Sequence, residues 1–139
     1  MNKAWFSFVL VLLLGLQLGL AQKSHADDEE KTYNGIKYAC TGVGDAKDDP
    51  KWGTYAAKLM FTTAGRAYVS FVEVKIKDGS GQEVLEADCD SPWLVLNLKP
   101  GTYHVTAVAL KKYTKTATLT VAPGKQSSLA IRFPEISGE

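Results

Sequence analysis

The sequence has little histidine, little cysteine and almost no net charge. Two histidines and two cysteines occur in 139 residues, and 16 Lys+Arg face 15 Asp+Glu for a formal charge of +1. A near-neutral balance gives no electrostatic reason to bind nucleic acid or an anionic membrane. No Gly-x-Ser-x-Gly elbow and no Cys-x-x-Cys pair is present, which removes the usual marks of a serine hydrolase or a dithiol oxidoreductase. Thr41-Gly42-Val43-Gly44 is a two-glycine turn without the Lys-Ser/Thr and long helix of a phosphate loop. Beyond residue 20 no apolar run is long enough to span a bilayer.

What is present begins with an address. Lys3 is the only charge before residue 23, and Ala4 to Leu20 is almost wholly apolar. Ser24-His25-Ala26 then offers a small-x-small exit before the acidic run Asp27-Asp28-Glu29-Glu30. These are the parts of a secretory signal peptide over residues 1–26. Cleavage after Ala26 is the preferred reading, with Ala21 as the competing exit. The rival is an uncleaved anchor, for which the stretch is slightly short. Loss of residues 1–26 takes out Lys3, Lys23 and His25. The chain that remains is slightly acidic, with His104 as its histidine and no membrane span. The expected location is the periplasm or the exterior.

Export gives the cysteines a meaning. Cys40 and Cys89 both follow the leader, and an even count in an oxidising compartment points to a disulfide. The alternative is a metal or redox pair, for which the spacing is wrong and only His104 could help.

Residues 27–35 are polar and read as a mobile leader. Asp49 is a suitable N-cap and Pro50 suits a first helical turn, so a short helix is expected before the first long strand, weakened by Gly53. From there the period becomes two. Strands are expected over 57–63, 67–77, 82–87, 93–98, 102–110, 114–121 and 127–133. Val72, Val74 and Ile76 oppose Glu73, Lys75 and Lys77, and Val84 points inward on the return strand. Asp78-Gly79-Ser80-Gly81 is a hairpin turn. Lys99-Pro100-Gly101 and Pro123-Gly124 turn the chain again. About seven short alternating strands predict an all-β chain, an antiparallel β-sandwich over 36–135 with a tail at 136–139.

The stretch from Phe61 to Val121 resembles the carboxypeptidase regulatory-like domains, which have a transthyretin-like (prealbumin-like) sandwich. The resemblance lies in Val72–Gly81, like their strand and D-x-x-G turn, and in Leu94–Ala107, like their L-x-P-G-x-Y-x-V-x-A signature. Thr116–Val121 with Gly124 is similar to their closing strand. A narrower group, small exported proteobacterial proteins, carries segments similar to Tyr38–Gly44 and Asp90-Ser91-Pro92. This chain departs from that group at Cys40, Thr41 and Ser91. If the two segments are neighbours, a disulfide joins what that group leaves unbonded. The resemblance implies a fold more than an activity.

Candidate site residues are few. Asp45, Asp48 and Asp49 share one loop, and Asp88 and Asp90 another. Without a dense ligand string they read as solvated turn residues and a cap, not as a metal site. Trp93 reads as core, and Trp52 as the better surface aromatic. Trp52, Asp45, Asp48 and Asp90 together are the candidate binding surface. No cofactor and no catalytic residue is expected, because His104 has no activated nucleophile beside it. The expected function is a non-enzymatic exported sandwich that binds an envelope or secreted protein. A carbohydrate- or cell-wall-binding module, with a glycan partner, is the alternative. A small hydrolase or metal enzyme is the third reading.

Overall fold

A computed structural model describes residues 27–136. The expected signal peptide over 1–26 lies outside the described residues, as does the tail beyond Ile136. Nine strands form: β1 (Lys31–Tyr33), β2 (Ile36–Thr41), β3 (Ala57–Thr63), β4 (Val72–Lys77), β5 (Glu83–Cys89), β6 (Trp93–Leu96), β7 (Gly101–Ala109), β8 (Tyr113–Val121) and β9 (Ser127–Phe133). One sheet has the order β1-β2-β6-β3-β9 and the other β5-β4-β7-β8. The protein is all-β, a sandwich of two sheets. Among the described residues no helix is long and apolar enough to cross a membrane.

The alternating residues build the core. Leu59 and Phe61 on β3, Leu94 and Leu96 on β6, and Ile131 and Phe133 on β9 meet Val74, Ile76, Leu85, Val105 and Leu119 from the other sheet, all buried. Each fully buried Leu, Val, Ile or Phe contributes about 1.5–3 kcal/mol of transfer free energy, offset by the entropy of ordering the chain. The Tyr103 hydroxyl donates to the Lys99 carbonyl at 2.7 Å, closing the Lys99-Pro100-Gly101 turn at the start of β7.

Several expectations need correction. The sheets are not wholly antiparallel, because β9 runs parallel to β3, with Ala57 opposite Ser127 and Thr63 opposite Phe133. The strand expected over 67–77 begins only at Val72. Arg66 and Phe71 take positive φ (69° and 59°), which breaks an extended run and leaves residues 64–71 as a loop. Val84 is only half-buried, packed against the core cluster instead of within it. Leu85, Ala87 and Cys89 are the buried residues of β5, opposite Ile76, Val74 and Val72, and the register shift between Ile76 and Lys77 leaves Val84 as the extra residue of a bulge.

The leader expected over 27–35 is not a free arm either. β1 pairs with β2, Lys31 opposite Tyr38. The Asp28 amide donates to the Cys40 carbonyl at 2.7 Å, and Thr41 Oγ1 donates to Asp28 Oδ1 at 2.7 Å. The Ser91 hydroxyl donates to the Asp27 carboxylate. Glu30 accepts from the Tyr55 hydroxyl and pairs with Lys37 at 2.9 Å. Polar composition marked this stretch as solvated, but its carboxylates are the acceptors that fasten it.

That fastening has a pH signature. The bond from Tyr55, then Lys37, holds Glu30 below the usual carboxylate range. The Ser80 hydroxyl and the Gln82 amide do the same for Asp78. Burial, then the bond to Glu30, pushes the Tyr55 phenol upward, and burial raises Tyr33, Tyr38 and Tyr103. A lowered carboxylate adds stability that is present above its unfolded pKa and lost as pH falls through the folded one. A raised phenol adds stability that is present below its unfolded pKa and lost as pH rises. Thermal melts are therefore expected to peak between about pH 5 and 9 and fall on both sides. Tyr55→Phe should flatten both limbs. A variant whose melts run parallel to the parent at every pH would contradict this account.

Candidate functional site

The disulfide expected from the sequence is present. Cys40 on β2 and Cys89 on β5 are bonded, with Cα atoms 5.3 Å apart across 49 positions of sequence. The bond crosses between the sheets, since β2 belongs to one and β5 to the other. Both cysteines are buried. The bond fixes one end of the sandwich, where β2, β3, β5 and β7 finish and β4, β6 and β8 start.

The exposed large hydrophobic residues among those described are Val43, Tyr68, Phe71 and Leu110. All of them sit in loops at this disulfide end: Val43 after β2, Tyr68 and Phe71 between β3 and β4, and Leu110 between β7 and β8. Single exposed apolar residues need no explanation, but a gathering of them at one end does.

The backbone beneath them is strained. Phe71, Leu110 and Lys111 have φ of 59°, 53° and 56°. Left-handed backbone costs an ordinary L-residue roughly 1–2 kcal/mol, and Asn or Gly is the usual occupant. The turn from β7 to β8 puts Leu-Lys where Asn-Gly would be cheaper. Three loops are laced across this end, for the Leu110 amide donates to the Phe71 carbonyl at 3.1 Å and the Phe71 amide to the Asp90 carbonyl at 3.4 Å. Strain of this kind persists where the surroundings over-determine it, and it clusters at functional sites.

Phe71, Leu110 and the buried Val72 and Cys89 line a cleft of about 440 Å³. Glu73, Asp88, Asp90 and Lys111 complete it. Phe71 is 59% exposed and Leu110 47%, so the apolar lining stands open to solvent.

A second aromatic group lies on the outer face of the β2-β6-β3 strands. Tyr68 meets Trp93 edge-on with ring centroids 6.4 Å apart, and Lys58 Nζ lies 3.4 Å from the Trp93 ring centroid. Burial lowers the Lys58 pKa. The Trp93 indole N–H is buried without an acceptor. Trp93 is thus half-buried on the outer face, not in the core between the sheets as expected.

Of the four expected surface residues, only Asp90 lines the cleft. Trp52 is the main correction, being only 4% exposed. The Pro50–Thr54 turn, capped by Asp49 Oδ1 accepting from the Lys51 amide at 2.9 Å, lays Trp52 and Tyr55 on Ala39 and Val95. The Trp52 indole N–H donates to the Ala46 carbonyl at 2.7 Å, and Gln126 Nε2 donates to the Trp52 and Tyr55 carbonyls at 2.8 and 3.2 Å. The outer sheet face left Ala39 and Val95 needing cover, and Trp52 supplies it. Asp45 and Asp48 are exposed on a preceding 3-10 turn (Asp45–Asp48), and Asp48 accepts from Lys47 at 3.4 Å. Among the described residues no three His, Cys, Asp or Glu are grouped to hold a metal ion.

Phe71 and Leu110 were legible as exposed from phase alone. Phe71 shares parity with Glu73, Lys75 and Lys77, and Leu110 with His104 and Thr106. A large apolar residue on the solvent phase beside a turn was the signal. Against known proteins, no family model matches the chain and no curated protein matches it.

Proposed function

We propose that this chain is a non-enzymatic, exported sandwich of the carboxypeptidase regulatory-like type that acts as a protein-binding or accessory module in the bacterial envelope. The disulfide end is its interface. The observation that carries this reading is the gathering of Val43, Tyr68, Phe71 and Leu110 in loops at that end, two of them on left-handed backbone. Loops on a rigid sandwich are the usual place for recognition. The Cys40–Cys89 bond supports export, because such bonds persist in oxidising compartments. The buried Trp52 offers no ring for a sugar to stack on.

A photo-crosslinking amino acid at position 71 or 110, in the cell that makes the protein, should give a discrete protein adduct. The same group at Thr116, exposed on β8, should not. Adducts from position 116 alone, or from none of the three, would contradict the reading.

A further inference from the structure

The charges around the cleft say more about what enters it. On the β4–β5 ladder the outward side chains pair as Lys77 with Glu83, Lys75 with Glu86 and Glu73 with Asp88. The first two pairs are complementary. The third sets like charges directly opposite each other, which destabilises a sheet, and it is the pair that lines the cleft. Asp90 adds a third carboxylate to the same wall. Among the described residues, none of these three carboxylates makes a salt bridge within 4.0 Å. Lys111 at the rim is the cleft's one cation. The apolar part of the lining is Phe71, Leu110, Val72 and the Cys89 end of the disulfide. An open apolar surface thus lies next to three carboxylates that, among the described residues, form no salt bridge.

We infer that the cleft receives a protein segment that presents an aliphatic or aromatic side chain next to a lysine or arginine. The inference rests on the interface reading above and gives that partner its chemistry. The apolar side chain covers Phe71 and Leu110, and the cation relieves the Glu73–Asp88 repulsion. A neutral or acidic segment would bury the apolar surface but leave the carboxylates unpaired.

The test is selection of a random octapeptide library on the purified full chain. Selected peptides should carry Leu, Ile, Phe or Met next to Lys or Arg, and should lose binding to Phe71→Asn. Glu73→Gln/Asp88→Asn should bind them about fivefold more weakly and with a smaller salt dependence. No selected peptides, peptides without a basic preference, or peptides that still bind Phe71→Asn would each overturn the inference. Dimers seen by sedimentation and abolished by Phe71→Asn would also overturn it, by giving the cleft to a second copy. Adducts at position 71 with no basic preference would leave the interface reading standing and remove only this one. A lack of adducts would remove both.

Discussion

Replacing Cys40 and Cys89 together by serine is expected to lower folding stability by about 4 kcal/mol. The bond spans 49 positions, and the chain-entropy relation for a loop of roughly that length gives this figure. Native stabilities of about 5–15 kcal/mol make such a loss decisive. The midpoint of thermal unfolding should fall by roughly 15 °C. The loss is also directional in the structure. Because the bond joins β2 of one sheet to β5 of the other, the loops at that end should exchange their amide hydrogens faster, while the Lys99–Gly101 turn at the far end keeps its protection. Urea unfolding of the double variant checks the first part and hydrogen exchange the second. A loss under about 1 kcal/mol would mean that the fastened segment around Asp27, Asp28 and Thr41 already closes this end unaided.

Gly42→Ala is expected to cost about 3 kcal/mol, a large effect for one methyl group. Gly42 has φ of 116°, outside the range an alanine adopts without strain. A Cβ there would stand 2.8 Å from Trp93 Cγ, 3.0 Å from Cδ2 and 3.2 Å from Pro92 Cγ. These atoms belong to the root of a ring and to a proline, so neither neighbour yields easily. Strain of roughly 1–3 kcal/mol from the backbone adds to a similar overpacking term. Because Lys58 and Tyr68 also rest on Trp93, the indole fluorescence should change along with the stability. An alanine variant as stable as the parent would show that the Trp93 ring can move aside.

The parts of the fold that rest on period two were open to reading from the sequence. β3, β7, β8 and β9 fall where the alternation places them, because in each the core face is more buried than the other. β4 was legible only from Val72 onward, since the positive φ at Arg66 and Phe71 leaves no mark in hydrophobic patterning. Val84 was given the inward place that belongs to Leu85, although Leu85, Ala87 and Cys89 alternate with Glu86 and Asp88 in the sequence itself. The parallel β3–β9 pair is a long-range choice that alternation does not record. At the site, the disulfide followed from compartment and even count. Asp90 was found as a loop acid. Trp52 misled because a tryptophan in a polar stretch reads as exposed, whereas here the polar stretch is a short turn folded down over Ala39 and Val95. Phe71 and Leu110 could have been found by asking which large apolar residues fall on the solvent phase.

On the proposed reading, Phe71 and Leu110 are held out for a partner and not for the fold. Urea unfolding of Phe71→Asn/Leu110→Asn separates the two roles, because asparagine suits left-handed backbone better than either residue. The unfolding free energy of the variant should equal that of the parent or exceed it by up to about 1–2 kcal/mol. A loss of 2 kcal/mol or more, roughly that of a truncated core residue, would contradict it.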